Sequence, residues 1–126
     1  MRQNVSSGSP YEPTIGFSRA VRVGNQVFIA GTAPIAPDGG LAAIGDPEGQ
    51  ARRCWEIILD ALAQCGGSPE HVVRTRTYLR HSRDWELVGK VHGEIFGDIR
   101  PASTMVVCDL LDPNWLVEIE ADAVLP

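Results

Sequence analysis

The chain has no apolar stretch approaching the roughly 20 residues that a membrane span needs, which excludes a helical membrane anchor within it. Its first residues, Met1 to Gly8, lack the apolar segment of a secretory leader, so a cytoplasmic location is expected. Three cysteines, Cys54, Cys65 and Cys108, form no CxxC or Cys/His pattern, which excludes a disulfide framework and a zinc site and leaves reduced, buried thiols as the expectation. Neither is there a basic stripe. The net charge is -5 and the cations are scattered, so nucleic acid is not an expected partner. His71, His81 and His92 sit at no ligand spacing, and no metal is expected; His92 reads as a surface or edge residue of a helix.

What remains is an ordinary globular composition, 44% apolar and 21% charged over 126 residues, enough for one compact domain spanning 1–126. Phe17 to Val23 and Gln26 to Ala30 are β-rich runs on either side of Gly24-Asn25, which predicts a hairpin. Pro34 to Gly40 is a loop, followed by a short strand around Leu41 to Ile44. Asp46-Pro47-Glu48 predicts a helix start and Gly66-Gly67 its stop. Ala51, Cys54, Ile58, Ala61, Leu62 and Cys65 line one face of that helix.

Ser68-Pro69-Glu70 opens a helical turn, and Val72 to Leu79 alternates as a strand whose core face is Val73, Thr75, Thr77 and Leu79. Asp84 is expected to cap a second helix with Leu87, Val88, Val91, Ile95 and Phe96 as its apolar stripe and Gly97 as its end. Thr104 to Cys108 reads as a buried strand. Trp115 to Val124 shows the clearest period of two, with Val117, Ile119, Ala121 and Ala123 on one face and Leu116, Glu118, Glu120 and Asp122 on the other. Two amphipathic helices covering one face of a mixed sheet, with no Gly-rich phosphate loop after the first strand, make an α+β fold. The second sheet face then calls for an oligomer.

Taken in order, Gly16-Phe17, Gly24-Asn25, Ile29 to Thr32, Cys65-Gly66-Gly67, Val72 to Tyr78, Arg100-Pro101-Ala102 and Val117 to Ala121 resemble the RidA/YjgF/YER057c superfamily over almost the whole chain. The resemblance implies a chorismate-mutase-like α+β fold assembled as a homotrimeric barrel, with a small-molecule cleft at each subunit interface. It also implies cofactor-free hydrolysis of enamines and imines to a keto acid and ammonia. In that pattern Glu120 positions water, Phe17 lines the cleft, and Ala30, Gly31 and Thr32 cradle the ligand with their backbone. The carboxylate-binding Arg that follows Pro-Ala in the family is Ser103 here, and an Asn on the second helix is Gly89.

A hydroxyl in place of a guanidinium forfeits a bidentate charge-assisted grip, a difference of roughly 2–4 kcal/mol. Arg100 is the nearest substitute in sequence, but three positions away on an extended chain it is expected to face away. Two functions therefore stand side by side: an imine or enamine hydrolase of altered specificity, and a non-catalytic trimer that binds a small metabolite. The ribonuclease role behind the family's older names is disfavoured by the acidic charge. No base for a nucleophilic Ser103 or Thr104 is evident in the sequence.

Overall fold

The computed structural model describes residues 1–126. Six strands, β1 (Arg2–Val5), β2 (Ala20–Val23), β3 (Gln26–Thr32), β4 (Val72–Leu79), β5 (Ala102–Val107) and β6 (Val117–Val124), form one sheet. Their order is β1-β2-β3-β6-β4-β5, so the last strand made lies between β3 and β4. Only β4 and β5 run parallel, joined through the second helix. Helices α1 (Pro47–Gln64) and α2 (Trp85–Phe96) cover the same face. No helix is long and apolar enough to cross a membrane.

Local chemistry accounts for α1 as its sequence predicts. Asp46 accepts a hydrogen bond from the Gly49 amide at 3.0 Å, Pro47 enters where no amide donor is needed, and Gly66 at φ +88 turns the chain out. Its buried side, Trp55, Ile58 and Leu62 included, packs on the inward residues of β3, β4 and β6 in one cluster of 21 apolar residues. Each large aliphatic there contributes about 1.5–3 kcal/mol by burial.

Four expectations are corrected. Val73 is exposed and Val72 takes the core position, because a bulge between Val72 and Arg74 reverses the alternation at the start of β4. Thr104 to Cys108 is not a buried strand: β5 is the sheet's edge, bonded to β4 alone, and in the protomer only Met105 packs partly on the core. Cys108 lies beyond it as an exposed free thiol, whereas Cys54 and Cys65 are buried as expected. The segment after Pro34 makes a single bridge, Ile35 to Leu41, in place of a strand.

The second helix differs in detail. A 3-10 turn, Ser82–Asp84, leads into α2, and the Asp84 side chain makes no capping bond. Leu87 is exposed and drops out of the stripe, which leaves Val88, Val91 and Phe96 fully buried. Gly97 stays right-handed; Arg100, at φ +57, makes the reversal into β5. Two polar clasps hold the chain's long loops. Buried Gln50 donates to the Asn114 carbonyl at 3.1 Å and accepts from the Leu116 amide at 2.8 Å. Arg80 donates to the carbonyls of Trp115, Asp112 and Leu110.

Candidate functional site

The sheet face turned away from the helices carries Phe28, Arg76, Tyr78, Glu118, Glu120 and Asp122 by strict alternation on β3, β4 and β6. At one end β3 is bulged. Ile29 pairs with Ala121 and Thr32 with Ile119, so Ala30 and Gly31 together oppose one residue of β6. Bulges re-aim the backbone, and here the extra residue brings Gly31 beneath a carboxylate. A Cβ on Gly31 would lie 2.5 Å from Glu118 Oε2. What a side chain at Gly31 would meet is this carboxylate and not backbone strain, since its φ is not positive.

Arg19, at the entrance to β2, fixes the bulge. Its Nη1 donates to the Gly31 carbonyl at 2.7 Å and to Thr32 Oγ1 at 2.8 Å, and its guanidinium lies 5.6 Å from the Phe17 ring centre. Nε and Nη2 form no hydrogen bond within the protomer. Burial lowers the Arg19 pKa, opposed by the charges of Glu12 and Glu118. Burial also pushes the Glu118 carboxyl above the usual carboxylate range; Arg19 works against this and Glu120 adds to it. Glu118 thus retains its proton to higher pH than an exposed glutamate does.

Glu120 is held differently. Tyr78 donates to its Oε1, and Arg76 Nη1 stands 3.6 Å from Glu120 Oε2 and 3.5 Å from Asp122. The hydrogen bond to Glu120 pushes the Tyr78 hydroxyl up to about 12, with burial and the Glu120 charge acting in the same direction. Across the face, a groove of about 630 Å³ runs from Glu120 and Asp122 past Phe28 and Ala30 to Phe17 and Glu12. Glu12 opens a single π-helical turn, Glu12–Gly16. Burial acts to raise its carboxyl, but hydrogen bonds from Ser7 Oγ at 2.7 Å and the Ser7 amide at 3.0 Å bring it below the usual range, so it stays charged.

Of the residues singled out in the sequence, Phe17, Ala30 and Glu120 line this one groove. Gly31 follows Ala30 and meets Glu118, neither Gly31 nor Glu118 lining the groove, while the Thr32 side chain is buried and spent on Ala30 and Arg19. Ser103 and Gly89 are not brought to it. Ser103 pairs with Thr75 on the helix side of β5, separated from β3 by β4 and β6, or roughly 14 Å at the usual strand spacing. Gly89 lies on α2 with open space where a side chain would stand. Arg100 is not on extended chain at all; its Nε donates to the Gly97 carbonyl at 3.0 Å. His92 is half-buried between Trp55 and Phe96, not a surface residue.

Arg19 escaped the sequence reading, and Glu118 stood there only as one of the polar face of β6. Charge alternation pointed to Glu118 and Glu120 equally, and only the bulge separates their roles. Gly31→Ala should displace the Glu118 carboxylate toward solvent at a stability cost of about 1 kcal/mol or less, because the clashing atom ends a flexible side chain. Carboxyl NMR titration should then find the Glu118 pKa returned toward the ordinary range.

One sheet with both helices on a single face, and a polar groove carrying paired carboxylates on the other, defines an α+β protein of the chorismate-mutase-like class. The family model described as endoribonuclease L-PSP matches residues 8–125. In overall structure the chain is similar to Rv2704 of Mycobacterium tuberculosis, a YjgF/YER057c/UK114 family member, with TM-score 0.89 and 44% identity over 99% of this chain and 100% of that one. It is 40% identical to an uncharacterized protein of Streptomyces coelicolor, covering 96% of this chain and 90% of that protein. The 3-aminoacrylate deaminase RutC of Acinetobacter baylyi is 30% identical, over 91% of this chain and 86% of that enzyme. This chain belongs to the YjgF/RidA family.

Proposed function

We propose that the protein is a cytoplasmic homotrimer that hydrolyses small imines or enamines in clefts between its subunits, using Glu118 as the proton-bearing group. The observation that carries this reading is the half-buried Glu118 carboxyl, raised in pKa and set over the Gly31 bulge that Arg19 fixes. An acid of that kind gives a proton to the enamine carbon or the imine nitrogen, and it holds that proton to higher pH than an exposed glutamate does. As a carboxylate it then receives one from the attacking water. The carbinolamine so formed collapses to a carbonyl compound and ammonia. Neither step needs a cofactor.

In this reading Glu120, which the resemblance cast as the water-positioning residue, acts through its charge on Glu118 while Tyr78 and Arg76 hold it in place. Arg19 supplies the positive charge for a substrate carboxylate through Nε and Nη2, a role for which Ser103 has no charge. The deaminase relative supports the reaction class. The exposed Phe28, Val106 and Val107, on the open face and edge of the sheet, support trimer formation.

Sedimentation equilibrium should give three times the protomer mass of 13.6 kDa. Ammonia and keto-acid release from imino acids generated by an amino-acid oxidase should accelerate when the protein is added. A monomer that leaves the release rate unchanged overturns the proposal. A trimer that leaves it unchanged favours the second reading, a binding trimer, for which the Ser103 departure speaks.

A further inference from the structure

The sequence offers Ser103 no base, but the fold does. Thr75 is fully buried on β4, and its Oγ1 lies 2.8 Å from Ser103 Oγ on one side and 2.9 Å from His92 Nε2 on the other. The three groups come from three elements, β5, β4 and α2, brought together by the parallel pairing of Thr75 with Ser103 and by packing of α2 over β4. Trp55 meets the His92 ring edge-on at 5.8 Å and Phe96 tilts against it at 4.8 Å, so the imidazole has a fixed orientation. Ser103 itself is exposed at the open sheet edge.

We infer that Ser103, Thr75 and His92 form a proton relay that makes Ser103 a nucleophile toward small activated esters. Hydroxyl hydrogens rotate, so the line runs in either direction with the imidazole tautomer. With His92 protonated on Nδ1 and neutral, its Nε2 accepts from Thr75, whose oxygen accepts from Ser103. Ser103 Oγ then attacks the ester carbonyl carbon while its proton passes to Thr75 and the Thr75 proton to His92. The carbon–oxygen bond to the leaving group breaks, and an activated leaving group such as 4-nitrophenolate departs as its anion while His92 keeps the proton. Acylation takes Ser103 out of the line and Thr75 is buried, so the acyl-Ser103 is the product that accumulates.

Two features suit the arrangement. Burial lowers the His92 pKa, which keeps the ring neutral and able to accept at neutral pH. The neighbours packed on it, Trp55 of α1, Phe96 of α2 and Thr75 of β4, carry no charge. The cysteines offer no competing route inside the fold, since burial drives the Cys54 thiol far above its ordinary pKa. The inference uses Ser103, which the groove described above does not contain, and a different chemistry. It is read from acylation of Ser103, whereas imine hydrolysis is read from ammonia release and Glu118.

The test treats the intact protein with 4-nitrophenyl acetate and with a fluorophosphonate, follows 4-nitrophenol release, and locates the adduct by peptide mass spectrometry. One acyl or phosphonyl group should appear on Ser103 and be absent in Ser103→Ala. Thr75→Val and His92→Phe, both matched in shape, should slow labelling roughly a hundredfold or more, while Thr75→Ser retains it. Melting curves establish that the variants are folded. The wild-type labelling rate should rise with pH through an ionisation below the ordinary imidazole range. No adduct, an adduct on Cys108 or elsewhere, or labelling of Ser103 undiminished in Thr75→Val and flat with pH would each overturn the relay.

Discussion

Glu118→Gln should abolish ammonia release while making the protein more stable at neutral pH. The two effects have one origin. Amide for carboxyl removes the proton donor and acceptor, a loss of roughly 10²- to 10⁴-fold in kcat. It also removes a group that the fold penalises when charged. Because the folded-state pKa of Glu118 is raised above its unfolded value, its contribution to stability is fully present at low pH. That contribution is lost as pH rises through the folded pKa. The variant should therefore melt above wild type at pH 7, with the gain fading as pH falls through the carboxylate range. Differential scanning calorimetry across that interval, beside the ammonia assay, reads both arms. A Glu118→Gln protein that keeps its activity ends the case for this residue; one that loses both activity and stability marks Glu118 as structural.

Gln50→Leu should be the most damaging polar-to-apolar change in the core. The substitution keeps volume but strands the half-buried Leu116 amide, paired only through the Gln50 side chain, while the carbonyl of exposed Asn114 turns to water. An unmade buried hydrogen bond costs about 1–3 kcal/mol, which should lower Tm by on the order of 5 °C. Urea denaturation should show the midpoint fall with little change in slope, since the surface exposed on unfolding is the same. A shift of only a degree or two would mean that the loop before β6 finds other partners. Gln50 also sets where β6 begins, and hence the register that puts Glu118 over Gly31.

Where the chain's local rules agreed with its long-range pairing, the fold could be read directly. Asp46, Pro47 and Gly66 bound α1, and the alternation from Val117 to Ala123 assigns both faces of β6, since each signal is complete within a few residues. Signals that depend on a partner strand could not be read so. Val73 faces out because of a bulge against Ala123 and Asp122, and β5 is exposed because nothing pairs on its far side. β1 went unseen because Arg2, Gln3 and Asn4 carry no apolar period, its place being set by register with Val21 to Val23. At the site, the resemblance pointed to Phe17, Ala30 and Glu120, which the fold brings to one groove. Arg19 and the Ser103–Thr75–His92 line were not legible, because 13 residues separate Arg19 from Thr32 and 17 separate Thr75 from His92.

The central placement of β6 also governs how the polypeptide is born. Synthesis runs from the N-terminus, so β1-β2-β3 and β4-β5 emerge as two half-sheets, each with an unsatisfied rim that only a later strand can bridge. Until β6 leaves the ribosome, β3 and β4 offer bare backbone to one another and to neighbouring nascent chains, the very edges that seed misassembly. Closure therefore waits on the insertion of one strand between two waiting halves.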